Sequence, residues 1–508
     1  MSDHDLLEAS ALQLSAWLHA RNVSCVELMR ACLARIDALN GTFNAIVSLR
    51  PHDALLAEAA EHDALLAQGH SKGWLHGIPQ AIKDLAPVRG LRSTKGSPLL
   101  ATHVPTEDAL VVQRMRNAGA ILIGKTNTPE FGLGSNTFNP VFGFTRNAWD
   151  PQRSAGGSSG GAAVALALRM LAVADGSDMG GSLRNPAGWN HVFGLRPSQG
   201  RVPKLPSADM FSAQLGTEGP MGRHVADLAR LLATQAGYHR LAPLSLAEDP
   251  RDLACALPAG EEACAAIRGK RIGWLGDIRG HLATEDGVLS TCEEALDRFV
   301  AMGANVDAIR LDFDPEALWQ TWLSLRHCAV AAELLVYARN PGQREQLKPE
   351  ACWEVDEALK RSAIDLMQAS MVRSAFFKTW LAAFDRWDFL ALPSAQVFPF
   401  DLNESWPRSI GGRSMDTYHR WMEVAIYATL SGSPAISLPA GFGGPSRGVA
   451  SPSGATEKQR PDAEWAIGLQ LIAAPRHDRA LLEAAHAYET AHAAWIHRKP
   501  PALSSLRL

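Results

Sequence analysis

The chain lacks the features that mark a disulfide-stapled, metal-clustered or membrane-spanning protein. It has seven cysteines in 508 residues, an odd number, and no two form a CxxC pair. Neither a disulfide framework nor a zinc–thiolate site is expected, and reduced thiols are the simpler reading. Cys25 and Cys32 sit seven apart on an apparent helix, which core packing explains. No HExxH motif or Cys/His cluster is present, so no metal and no cofactor is expected. No window approaches the roughly 18 apolar residues of a membrane span. The start, Met1-Ser2-Asp3-His4-Asp5, has no basic region followed by an apolar stretch. A signal peptide is therefore not expected, and cytoplasmic location is the default expectation. A large excess of charge of one sign is also missing. The net charge is -4, which gives no reason to expect a nucleic-acid or membrane partner. Tyrosine is scarce, 5 against 14 tryptophans, and most of those tryptophans belong in a core.

What is present is an ordinary globular balance, 46% hydrophobic and 20% charged, in a chain long enough for a large core. Apolar residues at helical spacing predict helices over 5–18, 25–38 and 52–68, with Ser24 and Glu27 forming a capping box. Short apolar segments at Ala45–Leu49, Ile78–Ile82, Ala120–Ile123 and Ala172–Ala174 read as strands, with helices at Asp108–Asn117 and Gly161–Leu171 between them. Later strands are predicted at Arg271–Leu275, Ala304–Ile309, Phe389–Leu392, Ala435–Leu438 and Ile467–Ile472. Helices are predicted over 223–237, 286–302, 314–339, 353–385 and 479–495. Strands alternating with longer helices imply an α/β fold around a mixed, largely parallel sheet. Gly441 to Asp462, rich in Gly, Pro and Ser, reads as an exposed loop.

Two short motifs invite specific chemistry and fail on context. Gly156-Gly157-Ser158-Ser159-Gly160 satisfies GxSxG, but the preceding Arg146–Arg153 is loop-like and supplies no strand for a nucleophile elbow. Gly119 to Thr126 matches GxxxxGK[ST], but its variable positions, Ala-Ile-Leu-Ile, are themselves a strand, with no glycine cradle for phosphate. Three other elements make chemical sense together. Lys83 ends an apolar segment; as a lone residue it would be a surface charge paired with Asp84, whereas desolvation would make it a base. The cluster Gly156–Gly161 carries two serines. Asp178-Met179-Gly180-Gly181-Ser182 follows a strand and turns sharply, which lets backbone N–H groups converge beside a serine hydroxyl. The plain alternative for that turn is a helix-capping serine.

The run from Gly156 through Gly194-Leu195-Arg196-Pro197-Ser198-Gln199-Gly200-Arg201-Val202 resembles the signature of the amidase signature family. Gly77–Asp84, Gly124–Gly132, Gly432–Pro439 and Gly468–Ile472 are similar to other stretches of that family, and the likeness is weakest over about 240–385. The resemblance implies a central sheet covered on both sides by helices. It also implies one domain over 1–508, with an N-terminal helical region over 1–70 and a variable helical subregion over about 240–385. It implies a Ser–cis-Ser–Lys triad of Ser182, Ser158 and Lys83, with the Gly157–Ser158 bond cis. The oxyanion donors would be the backbone N–H groups of Met179, Gly180, Gly181 and Ser182, and Ser159, Asp178 and Arg184 would support the site.

The expected activity is hydrolysis of a C–N amide bond through a Ser182 acyl-enzyme, without metal or cofactor. The expected partner is a small-molecule amide or carbamate, and the expected assembly is a monomer or homodimer. Phe131, Gly132, Phe138, Phe144, Trp406 and Trp421 are the expected substrate contacts, with Met179 as an apolar neighbour, which suits an aryl or hydrophobic amide. Rival readings are a carbamate or urea-type hydrolase, an A-type amidotransferase subunit that works with partner chains, and a binding protein on a retired hydrolase fold.

Overall fold

The computed structural model describes residues 3–212, 215–444 and 464–504. Its helices begin where the sequence supplies a cap. Ser10 and Ser24 each accept a backbone N–H from three residues on, and Gln13 and Glu27 bond back, so both are capping boxes. Because Ser10 caps a new start, the helical pattern over 5–18 divides into Asp3–Glu8 and Ala11–His19. The same device divides 353–385. Ser362 and Asp365 box the start of Ala363–Ala383, apart from Pro349–Leu359.

A three-stranded sheet holds Ile121–Thr126 between Ile46–Val47, antiparallel, and Pro79–Lys83, parallel. Lys125 lies inside the central strand, fully buried, with its ammonium on Ala86 O and 3.8 Å from Asp84. The phosphate-loop match is therefore a buried strand.

The large sheet has eight strands in the order Asn305–Ala308, Arg271–Trp274, Phe389–Pro393, Trp465–Ile472, Ala435–Gly443, Phe193–Arg196, Thr217–Gly222 and Val173–Asp178. The sheet is mixed, and most neighbours run antiparallel; only the first three strands pair parallel. Insertion is the reason. Val173–Asp178 and Phe193–Arg196 run the same way, but Thr217–Gly222 enters between them in reverse. Trp465–Ile472 likewise separates Phe389–Pro393 from Ala435–Gly443. Alternation of strands and helices shows that crossovers exist, not which later strand slips between their ends. Phe193–Arg196 and Thr217–Gly222 are strands that the sequence pattern does not single out. Gly441–Gly443, placed in the predicted loop, complete a strand, and most of that loop lies outside the described residues.

Successive residues of the sheet point to opposite faces. Phe389 and Ala391 pack into one buried cluster with Leu228, Phe299 and Tyr488, while Leu390 and Leu392 join Trp319, Trp322, Phe376 and Trp380 on the other side. Helices thus cover both faces. No described helix is long and apolar enough to cross a membrane.

Candidate active site

Lys83 is the last residue of Pro79–Lys83, a strand buried along its whole length. Its backbone N–H donates to both carboxylate oxygens of Asp175, at 3.1 and 3.3 Å, which fixes the strand end against Val173–Asp178. The side chain is 1% exposed. Its Nζ lies 2.8 Å from Ser158 Oγ and 2.8 Å from Ser159 Oγ, with Ser177 Oγ at 3.0 Å. Burial lowers its pKa to about 7, against the opposing pull of Asp175, Asp178 and Glu218. Lys83 is therefore not a surface charge paired with Asp84. Asp84 instead accepts hydrogen bonds from Thr94 and lies beside Lys125.

Ser158 and Ser159 close a glycine-rich loop just ahead of the helix Gly160–Ala167, and the Gly157–Ser158 peptide bond is cis. Ser159 is buried, and its N–H donates to Ser182 O at 3.2 Å, tying the two serine clusters together. Ser158 is 2% exposed and Ser182 8%. Among the described residues no hydrogen bond joins Ser182 Oγ to Ser158 Oγ; the Lys83–Ser158 link alone is formed.

The turn that carries Ser182 is stapled by one carboxylate. Asp178 ends its strand and accepts from Gly181 N and Leu183 N, both at 3.0 Å, and from Arg184 Nη2 at 2.8 Å and Nε at 3.1 Å. Arg196 Nη1 adds a contact at 3.3 Å. Burial alone would raise the Asp178 pKa, but the guanidinium groups of Arg184 and Arg196 hold it well below the usual carboxylate range. Gly181 has φ +92°, a left-handed conformation that favours glycine, and a Cβ there would meet Ala425 Cβ at 2.8 Å. Because Gly181 N–H is taken by Asp178, the N–H groups of Met179, Gly180 and Ser182 are those of the turn with no partner among the described residues.

The expected contact residues divide. Gly132 is at the site, since a Cβ on it would lie 3.5 Å from Ser158 Oγ. Phe131 beside it turns toward Tyr337, with ring centroids 5.9 Å apart. Phe138 and Phe144 stack on each other across a short hairpin, and Phe144 is 37% exposed. Trp406 carries Arg408 over its ring. Trp421 is buried in the core between Trp189 and Phe400. Sequence reasoning missed the residues that press on the serine turn. An ideal Cβ on Gly180 would meet Trp322 and Met422, each at 3.3 Å. Met179 Sδ lies 3.3 Å from Arg326 Nη1, and Thr429 Oγ1 donates to Met179 O at 2.8 Å. Trp322 and Arg326 share one face of Pro315–Ala338, inside the stretch of weakest resemblance; only their i, i+4 spacing on an apolar helix hinted at a common face.

A family model described as Amidase matches residues 27–482. An acylamidase from Rhodococcus erythropolis is 32% identical over 505 residues, covering 98% of each chain. The A-type subunit of a glutamyl-tRNA(Gln) amidotransferase from Paraburkholderia phytofirmans is 33% identical over 519 residues, covering 97% of this chain and 99% of its own. Among solved structures, a bacterial aryl acylamidase of the amidase signature enzymes superposes with a TM-score of 0.83 at 25% identity, covering 98% of this chain and 99% of that one. A 6-aminohexanoate cyclic dimer hydrolase does so at 0.79 and 25%, with the same coverage.

Proposed function

This chain belongs to the amidase family, and from that premise we propose that it hydrolyses aryl or hydrophobic amides through an acyl-enzyme on Ser182. The observation that carries the reading is the buried Lys83 ammonium, 2.8 Å from both Ser158 Oγ and Ser159 Oγ, with its pKa brought down to about 7. A lysine so placed is neutral for much of the time at neutral pH and accepts a proton. Lys83 takes a proton from Ser158 Oγ as Ser158 takes one from Ser182 Oγ. Ser182 Oγ bonds to the amide carbon. The developing oxyanion is held by the turn's free N–H groups, those of Met179, Gly180 and Ser182. The C–N bond breaks as Ser158 returns a proton to the leaving amine. Water then attacks the ester through the same relay and releases the acid. The Ser158–Ser182 hydrogen bond forms when substrate orders the two hydroxyls, since catalytic contacts are often loose before binding.

The aryl preference is supported by Trp322, Met422 and Met179 around the serine turn, and by the names of two relatives, an acylamidase and an aryl acylamidase. The similarity to an A-type amidotransferase subunit keeps one other reading in view, glutamine amide hydrolysis alongside partner chains. The deciding experiment runs the purified single chain on acetanilide, an aryl carbamate, acetamide and glutamine. The proposal expects acetanilide to give the highest kcat/KM without added proteins. Turnover of glutamine alone, or turnover only with partners, overturns it.

A further inference from the structure

Away from the serine–lysine site, three side chains far apart in sequence turn ligand atoms toward one another. His224 stands directly before the helix Val225–Gln235, Glu489 lies in the last turn of Asp478–Ala491, and His497 follows Ala493–Ile496. His224 Nδ1 is 2.9 Å and His497 Nε2 3.2 Å from the same oxygen, Glu489 Oε1. All three ligand atoms lie within 4.8 Å of one another. We propose that His224 Nδ1, Glu489 Oε1 and His497 Nε2 bind one transition-metal dication of the zinc class, and that the metal ties the C-terminal segment to the start of Val225–Gln235.

Several observations carry this. The separations suit the metal: bonds of roughly 2.0–2.1 Å in a tetrahedral site place neighbouring ligand atoms about 3.4 Å apart, so small side-chain shifts admit the ion. The donor set is two imidazoles and a carboxylate, which suits zinc and its neighbours and not magnesium or calcium. Glu489 is nearly buried, and among the described residues its ion-pair partners are all histidines, His224, His486 and His497. The ionic groups that flank His224 in the chain are engaged elsewhere. Arg223 donates to the carbonyls of Leu171, Leu7 and Ala9, and Asp227 accepts from Ala11 N and Leu12 N. The carboxylate is also oriented from behind. Its Oε2 accepts Val225 N–H at 2.8 Å, and His486 Nδ1, which makes no hydrogen bond, faces that oxygen at 3.6 Å. His224 and His497 keep about a quarter of their side-chain surface exposed, 25% and 29%, which leaves a path for the ion to enter.

The test uses the purified full chain, stripped with EDTA and desalted. Titration with Zn²⁺ should show one equivalent bound at this site, and Mg²⁺ should not compete. Co²⁺ should give weak visible bands without thiolate charge-transfer absorption, which separates this site from the seven cysteines. His224→Gln, His497→Gln and Glu489→Gln should each weaken Zn²⁺ binding by at least the roughly 10-fold that loss of even an outer-shell partner costs. The Glu489→Gln amide oxygen still accepts Val225 N–H, so the helix start is preserved. Zinc should also protect His224 and His497 of the unmutated chain from diethylpyrocarbonate, mapped by mass spectrometry, which decides the matter if a variant folds poorly. No stoichiometric Zn²⁺ binding, binding that all three variants retain, thiolate bands with Co²⁺, or no protection of the two histidines would each overturn the proposal.

Discussion

At the scale of single residues, the site depends on two buried charges treated oppositely. Lys83 is stripped of solvent with only hydroxyls and a carbonyl in reach, so its charged form is disfavoured and its pKa falls to about 7. The sign follows directly. Below that value the ammonium cannot accept a proton, so kcat/KM should climb about tenfold per pH unit on the acid side and level off above about 7. Lys83→Arg should not restore activity lost in Lys83→Ala, because a guanidinium stays protonated. An active arginine variant removes Lys83 from the role of base. Ser182→Ala should cut kcat by about 10⁴-fold or more with the fold intact, read by circular dichroism alongside the assay. Asp178 is the opposite case, a carboxylate kept ionised by Arg184 and Arg196. Asp178→Asn leaves two buried guanidinium groups short of their counter-ion and should cost about 3–5 kcal/mol in a denaturant titration.

At the scale of elements, caps and faces decide what the chemistry meets. Ser362 caps Ala363–Ala383. Ser362→Ala should lower stability by about 1 kcal/mol, seen as an earlier denaturation midpoint, with kcat/KM unchanged. The helix Pro315–Ala338 matters more directly, because its Trp322 presses on Gly180. Trp322→Ala should depress kcat/KM for acetanilide more than for acetamide. Equal losses would show that Trp322 supports the fold and not the choice of substrate. The helix lies where resemblance to the family is weakest.

At the scale of the whole molecule, the serine–lysine site lies where two sheets meet. Lys83 comes from the small sheet, Asp178 from the end of the edge strand of the large one, Ser182 from the turn that follows it, and Ser158 and Ser159 from the loop ahead of Gly160–Ala167. The His224–Glu489–His497 group lies elsewhere, joining the helix after Thr217–Gly222 to the C-terminal segment. EDTA should therefore leave kcat/KM unchanged while lowering the thermal midpoint of zinc-loaded protein. Activity that EDTA abolishes and zinc restores would place a metal in the chemistry.

Much of this was legible in the chain, because local spacing acts locally. Ser24 and Glu27 specify a cap, the apolar run Ile78–Ile82 specifies a buried strand, and consecutive glycines before Ser182 specify a tight turn. These depend on a few neighbouring residues whose geometry the backbone dictates. The resemblance pointed to Lys83 through Gly77–Asp84 and to Ser158 and Ser182 through the run that begins at Gly156, and folding brings those segments together. Other features waited on tertiary structure. Antiparallel insertion of Thr217–Gly222 and Trp465–Ile472 depends on which strand edges are open when the chain returns, not on any local period. Trp421 became core and Trp322 a neighbour of the serine turn because aromatic residues at helical spacing fit either place, and only packing chooses. The convergence of His224, Glu489 and His497 spans more than half the chain, a distance over which no sequence pattern acts. Sequence by itself determined the chemistry-bearing segments and their local shapes; the tertiary fold decided which faces and distant side chains meet, because those contacts are set by long-range packing.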